Sequence, residues 1–524
     1  MNVGEVLRSR ALREPQRIAL YDIDANVAVR LDALDAAACR VAAALDAAGV
    51  REGDRVAIAA MSSVPLVAAM FGALYAGAVA VPVSLAEAPL ALAARLVRTR
   101  CRHALVDVAG RALVARAMAA RDAAPQVDAE GDAALRTLTL LDAEQISADG
   151  DGAVTDGPRA LTPGAPALVL ATSGTTGTAK GAVIAHASLL LHSALLVSNA
   201  LQLRADDRVL AVLPLAHSYG FRIALLAPLI AGAEIVLVRR FDAGRTLALL
   251  ADWRITFAPV VPTMLAAWAD VPRDAAADLS ALRFVLSAGA PLPDELALRA
   301  EARLGCAVRQ GYGMTEATFS AVDAPPGERV LGSVGRAVLG VEIRAVDEAG
   351  VMLPTGATGE LAVRGHHTML GYDDDAGATR AMRLPGGFLR SGDLGRVDVD
   401  GRVWVTDRKK DLIIRGGMNV APSQVESALA SHPDVAEVAV IGRDDPRYGE
   451  VIVAIVRLRA GASPAPDALL AHAALRLARH ELPRQLAFVD ALPVGHSGKV
   501  DRRGLRAAVA SGALVPVTLS VPAE

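Results

Sequence analysis

Ala171-Thr172-Ser173-Gly174-Thr175-Thr176-Gly177-Thr178-Ala179-Lys180-Gly181 is the stretch on which the reading of this chain turns. An apolar run, 167–170, precedes it and has the length and composition of a buried strand. Residues 182–184 follow, and an apolar segment of helical character begins at His186. The stretch holds three glycines, five hydroxyls and one lysine, with no acid. Glycines let backbone N–H groups point into a shared concavity, hydroxyls add donors, and the lysine adds a mobile positive charge. That is a surface for phosphate oxygens. It is not a Walker loop, because Gly181 rather than a hydroxyl residue follows Lys180. A flexible Gly/Thr hairpin is the competing reading.

The 524 residues predict two or more packed units, and a 53% hydrophobic content supplies large cores. A formal charge of -3 gives no electrostatic footprint for nucleic acid or an anionic membrane. Cys39, Cys101 and Cys306 are far apart and odd in number, which fits reduced thiols in the cytoplasm, and none has metal-site neighbours. Residues 1–15 are charged throughout and lack the apolar core of a signal peptide. Residues 56–86 carry no charge, long enough to suggest a membrane span. Pro65, Gly72, Gly77 and Pro82 punctuate them, however, and Ser62-Ser63 offers a cap. The expectation is a buried βαβ unit: strand 56–60, helix 65–76, strand 78–83.

Helical spacing over 31–48 ends at Gly49, while the Asp-, Ala-, Gly- and Pro-rich region 123–166 reads as surface loops. After the phosphate-loop candidate comes a second βαβ unit. Strand 209–213 leads into Pro214-Leu215-Ala216-His217-Ser218-Tyr219-Gly220, a helix to Ile230 and strand 235–238. Strand 257–261 ends at Pro262-Thr263, and strand 284–286 at Ser287-Ala288-Gly289-Ala290-Pro291. Loops beyond the carboxyl ends of parallel strands are where open α/β sheets bind ligands, so these three predict one pocket.

Gln310-Gly311-Tyr312-Gly313-Met314-Thr315-Glu316 sets an exposed aromatic between glycines, with a hydroxyl and a carboxylate behind it. The ring can stack on a base and the carboxylate can hold Mg²⁺ on ATP phosphates; a core tyrosine is the plain alternative. Segments 343–346, 359–365 and 402–405 predict a small β subdomain. Leu389-Arg390-Ser391-Gly392-Asp393-Leu394-Gly395 places an acid in a glycine turn, where it can accept both ribose hydroxyls. The charge run Asp407-Arg408-Lys409-Lys410-Asp411 stands at a change in composition and is a candidate hinge. Beyond it, helices at 425–430 and 469–482 and strands at 435–441, 451–457 and 485–489 form an α+β pattern. Pro493-Val494-Gly495-His496-Ser497-Gly498-Lys499-Val500 puts a lysine on a glycine-rich loop, able to swing into a site made by another domain.

In this order, over about 160–505, the blocks resemble those of the adenylate-forming superfamily: acyl-CoA synthetases, adenylation domains of peptide synthetases and luciferases. The resemblance implies an α/β fold with a large N-terminal domain of parallel βαβ sheets plus a β subdomain at 1–407, a hinge at 408–410, and a small mobile α+β C-terminal domain at 411–524. It implies that Thr175, Thr176 and Lys180 belong to the phosphate loop and that His217 gates the acyl pocket. Tyr312 matches the adenine-stacking aromatic, with Gly289, Ala290 and Pro291 beside the base. Thr315 matches the α-phosphate contact, Glu316 the Mg²⁺ ligand, Asp393 and Arg408 the ribose contacts, and Lys410 the hinge. Lys499 matches the lysine that bridges the acyl carboxylate and the ribose–phosphate oxygens. In the family the small domain then rotates, withdrawing the lysine and presenting another face, here Arg415-Gly416-Gly417, to a thiol tunnel. One departure is Ala179, where many relatives have proline or serine.

The activity so implied is ATP-dependent activation of a fatty or aryl acid to acyl-AMP, with release of pyrophosphate and transfer to CoA. Alternatives are delivery to the phosphopantetheine of an acyl carrier protein, luciferase-like chemistry, and, in another class, a non-catalytic nucleotide-binding module. The expected substrate pocket comprises His217, Ser218, Tyr219, Arg222, Val261, Ser287, Gly311 and Gly313. Peptide-synthetase domains carry an acid just after the position of His217; Ser218 and Tyr219 here speak against an α-amino acid. Malonate-type relatives use an arginine beside the stacking tyrosine, where Gly311 stands and leaves room. Arg222 lies on an otherwise apolar helix. A surface ion pair or snorkelling is the plain expectation there. The sharper one is contact with a polar or anionic tail of the acid.

Overall fold

In the computed structural model the described residues are 1–122, 138–148, 154–172, 180–272, 278–324, 329–415, 418–446, 448–495 and 499–519. The long uncharged stretch is a βαβ unit of the interior: strand Arg55–Ala59, helix Val64–Tyr75 and strand Val79–Pro82. The Ser63 hydroxyl accepts the Leu66 N–H and Pro65 occupies the first turn, so the helix starts where its cap allows. The two strands pair in parallel, Arg55 opposite Val79. No helix among the described residues is long and apolar enough to cross a membrane.

The described residues form four sheets. A seven-stranded sheet runs from Gly371–Tyr372 through Gly181–Ala185, Pro166–Ala171, the two βαβ strands and His103–Val106 to Thr139–Asp142. A nine-stranded sheet holds Arg208–Ala211, Phe257–Val260, Phe284–Ala288 and Ala307–Met314 side by side and parallel. Their carboxyl ends therefore open at one edge. Four antiparallel strands, Val341–Val346, Gly359–Gly365, Leu389–Val397 and Val403–Arg408, make the β subdomain. The last sheet is built on the hairpin Val435–Asp445/Gly449–Leu458 with its own apolar core, a small C-terminal α+β domain.

Two expectations need correction. The 123–166 region is not all loop: strand Thr139–Asp142 adds in parallel to His103–Val106, and helix Ala143–Ala148 follows. Leu140, Leu141 and Ile146 pack against the core, a pattern too short to stand out from polar surroundings. The single helix expected at 469–482 is helix Pro466–Ala474 and a separate one-turn segment Arg479–Glu481. Its buried face, Leu469, Leu470 and Ala473, ends there, and Leu475 is exposed. The three cysteines are free thiols.

Candidate active site

The strands Pro166–Ala171 and Gly181–Ala185 pair antiparallel, and the Thr172 N–H extends the pairing by donating to the Lys180 carbonyl at 2.8 Å. Thr175 and Thr176 lie outside the described residues. Lys180 Nζ sits 5.0 Å from the centroid of the Tyr372 ring. Tyr372 is there because the short strand Gly371–Tyr372 pairs with Gly181–Ala185, Tyr372 opposite Ala182. Its hydroxyl donates to Glu316 Oε1 at 2.6 Å. Sequence reading missed Tyr372. Its neighbours, Gly371 and Asp373-Asp374-Asp375, look like an acidic turn, and only strand pairing carries it to Glu316. Among the described residues Glu316 Oε2 accepts no hydrogen bond, and no group of three or more ligand-type side chains could enclose a metal. The carboxylate therefore suits a hard dication that keeps most of its oxygens from phosphate and water.

Tyr312 is not the exposed aromatic the glycines suggested. It lies on the strand Ala307–Met314, is 8% exposed, and donates its hydroxyl to Asp393 Oδ2 at 2.8 Å. A buried tyrosine keeps its hydroxyl paired, and the ring is fixed by this bond. Asp393 is likewise not in a free turn but on the strand Leu389–Val397, directly opposite Arg408. Arg408 Nε is 3.3 Å from Asp393 Oδ1. Burial raises the Asp393 carboxyl; Arg408, the Tyr312 hydroxyl, Lys410 and Lys499 oppose that without cancelling it.

Lys499 closes this group from the C-terminal domain. Its loop is pinned by a bridge between Val494 and Val500 and by the Asp501 N–H donating to the Pro493 carbonyl at 2.8 Å. Asp501 then caps the helix Arg502–Ala510 through the Gly504 N–H. The lysine passes over Gly289, where a methyl group would stand 3.2 Å from its Cε. Gly289 also has φ +88, a conformation only glycine adopts cheaply. Val261 lies against the same spot. Burial first, then Arg408 and Lys410, bring the Lys499 ammonium down to about 8. Lys410 is lowered as well, chiefly by burial and then by Arg408. Asp270 helps hold the two domains in this posture: it takes Arg457 from the C-terminal domain at 2.9 Å and Arg299 at 2.6 Å.

The turn after Arg208–Ala211 is held by the His217 N–H on the Pro214 carbonyl. Ser218 Oγ meets Thr318 Oγ1 at 2.7 Å. The Tyr219 hydroxyl reaches the carbonyls of Leu286 (2.7 Å) and Val260 (3.2 Å), so its polar end is spent on joining two strand ends. Gly311 does not leave open space. Phe319, at φ +48, turns its ring onto it, and a methyl on Gly311 would stand 2.4 Å from Phe319 Cε1. At Gly313 the Phe319 backbone approaches as closely. A left-handed aromatic is strained, and such strain gathers at functional sites. Ser287 is 2% exposed, Ala290 half-buried and Pro291 exposed on the loop beside Gly289; Thr315 is half-buried next to Glu316.

Arg222 lies on a π-helical segment, Gly220–Leu226, and is neither surface-paired nor snorkelling. It is 0% exposed, and Nε, Nη1 and Nη2 have no hydrogen-bond partner among the described residues. Arg415 is held inside the C-terminal domain, donating to the His480 carbonyl at 2.6 Å beneath the Tyr448 ring. Gly416 and Gly417 lie outside the described residues.

A family model described as AMP-binding enzyme matches residues 7–373, and one described as AMP-binding enzyme C-terminal domain matches 424–499. The sulfoacetate–CoA ligase of Cupriavidus necator is 35% identical over 505 residues, 95% of this chain and 96% of that protein. The ATP-bound crystal structure of MatB from Rhodopseudomonas palustris superposes with a TM-score of 0.87 at 30% identity, covering 97% of this chain and 99% of that one. The apo structure of the same protein, at equal identity and coverage, gives 0.76. Both family matches fall in chain order and together span most of its length, so the chain belongs to the AMP-binding enzyme family and is an acid–thiol ligase of the AMP-forming kind.

Proposed function

We propose that the chain first joins a carboxylic acid to AMP in the posture described, and then passes the acyl group to the CoA thiol in a second posture reached about Lys410. In the first step a carboxylate oxygen bonds to the α-phosphorus of ATP and pyrophosphate leaves. In the second, the thiol sulfur bonds to the acyl carbon, AMP leaves, and the thiol proton is released. A carboxylate is a poor acyl donor because its oxygen leaves badly; AMP leaves well. Two anions must meet in the first step, and positive charge placed where charge builds is the largest catalytic term available.

The observation that carries this reading is Lys499 lying over Gly289 in a cradle shared with Asp393, Arg408 and Lys410. Its lowered affinity for a proton reflects burial among other cations. Phosphate and carboxylate oxygens would reverse that. Tyr312 and Asp393 supply a fixed wall for base and ribose, and Lys180 a cation for the outer phosphates. Glu316, oriented by Tyr372, would hold Mg²⁺, which when bound neutralises phosphate charge. The closer likeness to the ATP-bound than to the apo form of MatB agrees with an adenylating posture. The C. necator relative is named for a small sulfonated acid and others for aryl acids, feruloyl-CoA synthase and 4-coumarate–CoA ligase among them, which favours a short or ring-bearing acid over a long fatty chain.

Lys499→Ala tests it. Exchange of labelled pyrophosphate into ATP should fall by about 10²–10³-fold. Thioester formation from supplied acyl-adenylate should persist. Equal loss in both half-reactions would reject the role.

A further inference from the structure

Arg222 is a cation buried without a counter-ion among the described residues. A guanidinium fully removed from water is costly unless paired. Among the described residues no carboxylate pairs with Arg222 and none of its three nitrogens has an acceptor. Burial alone lowers it to about 9.

The groups around it are neutral. His192 and His367 are fully buried and His366 is half-buried. Their rings cluster, with centroids 5.1–6.0 Å apart. His192 Nδ1 and His366 Nε2 lie 3.3 Å apart and share one proton. Ser320 Oγ lies 3.1 Å from the Ala317 carbonyl and 2.9 Å from His367 Nε2, a hydrogen bond that fixes the ring. Burial, and after it the charge of Arg222, holds His192 and His367 below their ordinary proton affinity, His367 at about 3. Three histidines together invite a metal, but no described cluster fits one, and the guanidinium repels a cation. What remains is a buried positive centre with no negative wall.

Its place links it to the reacting end of the pocket. Arg222 follows Ser218 by four residues within one continuous helical run, 218–226, whose larger part is π-helical. Ser218 bonds Thr318, two residues beyond Glu316, and the Thr318 main chain lies against His192.

We infer that Arg222 anchors a distal anion subsite of the acyl pocket, which takes the second acidic group, sulfonate or carboxylate, of a short acid whose first carboxylate is activated at Lys499. This rests on the ligase reading above. The guanidinium fork matches either oxyanion bidentately, and neutral histidines do not compete for it. A monoanionic acid of the same size leaves the cation unpaired, so the site rejects it.

The full chain, with ATP, Mg²⁺ and CoA, is assayed for pyrophosphate release with sulfoacetate, malonate and succinate against propionate, butyrate and benzoate. Sulfoacetate against malonate separates the two oxyanions. The kcat/KM ratio of the preferred diacid over its monoanionic counterpart is expected to exceed about 100-fold and to collapse by a similar factor in Arg222→Met. Arg222→Lys should recover part of it. A ratio unmoved by Arg222→Met, or turnover of monoanionic acids alone, overturns the subsite and leaves the ligase standing; no AMP from any acid overturns both. Should Arg222→Met fail to fold, melting of the wild-type chain decides. Sulfoacetate or malonate should raise Tm where propionate does not, and equal shifts count against the subsite.

Discussion

Two cationic regions of the molecule treat charge in opposite ways. In the cradle, Lys499, Arg408 and Lys410 surround Asp393, which also accepts from Tyr312. Positive charge there is partly answered by the chain itself, with an excess left for phosphate. At Arg222 none of the described residues answers the charge: the guanidinium is more deeply buried and every nitrogen is unpartnered among them. The cradle can stand folded without ligand. The Arg222 site is complete only when something negative arrives. On the proposed function one region serves a nucleotide that brings many charges, and the other a single counter-charge.

The sharpest way to break the comparison is to remove the cradle's own anion. Asp393→Ala would leave Tyr312 without an acceptor and three cations facing one another. Pyrophosphate exchange should fall by roughly 10²–10³-fold, since stripping one partner from a buried ionic group costs about 3–5 kcal/mol. Retention of wild-type exchange would mean that the carboxylate holds nothing.

A pH series sharpens it. Lys499 is charged below about 8 and loses its proton above it. Its attraction for the reacting anions is therefore full at lower pH and disappears as pH rises through 8. Adenylation kcat/KM should drop about tenfold per pH unit beyond that point, and saturating ATP should move the limb upward. In Lys499→Arg the basic limb should be absent. Folding itself has the opposite sign. Because the folded lysine binds its proton less well than the unfolded one, its contribution to stability improves as pH climbs from 8 toward the ordinary lysine value.

The smallest effect belongs to the contact between domains. Asp270→Asn weakens its ion pair with Arg457, which is partly exposed. Such pairs are worth about 0.2–1 kcal/mol. Adenylation should slow two- to fivefold at most, by about that energy, with thioester formation from supplied acyl-adenylate unaffected or faster. A larger loss in the second half-reaction would place Asp270 in the other posture.

Much of this was legible in the chain. The strand pair on either side of 172–180, the buried βαβ unit at 55–82 and the lysine near the C-terminus follow from local pattern: glycine and proline punctuation, uncharged runs, one cation in a glycine-rich stretch. Tyr312 was expected to be exposed and is buried, because flanking glycines look the same in a strand and in a turn. Here Gly311 and Gly313 make way for Phe319, not for substrate. Tyr372 left no trace, since its task depends on pairing with a strand almost two hundred residues earlier in the chain.

The sequence alone determined which residue types were at hand: a Gly/Thr stretch with one lysine, acids at Glu316 and Asp393, and a lysine on a C-terminal glycine-rich stretch, to which the proposed function gives the phosphate, cation, ribose and mobile-cation roles. These are local properties of residue type and spacing. Only the tertiary structure decided which charges are answered and which are not. Asp393 faces Arg408 across a strand pair, Lys499 crosses from another domain to Gly289, and Arg222 ends among neutral histidines drawn from two distant segments. A charge is written in the chain, but its counter-charge is fixed by long-range packing, and burial sets how much that pairing matters.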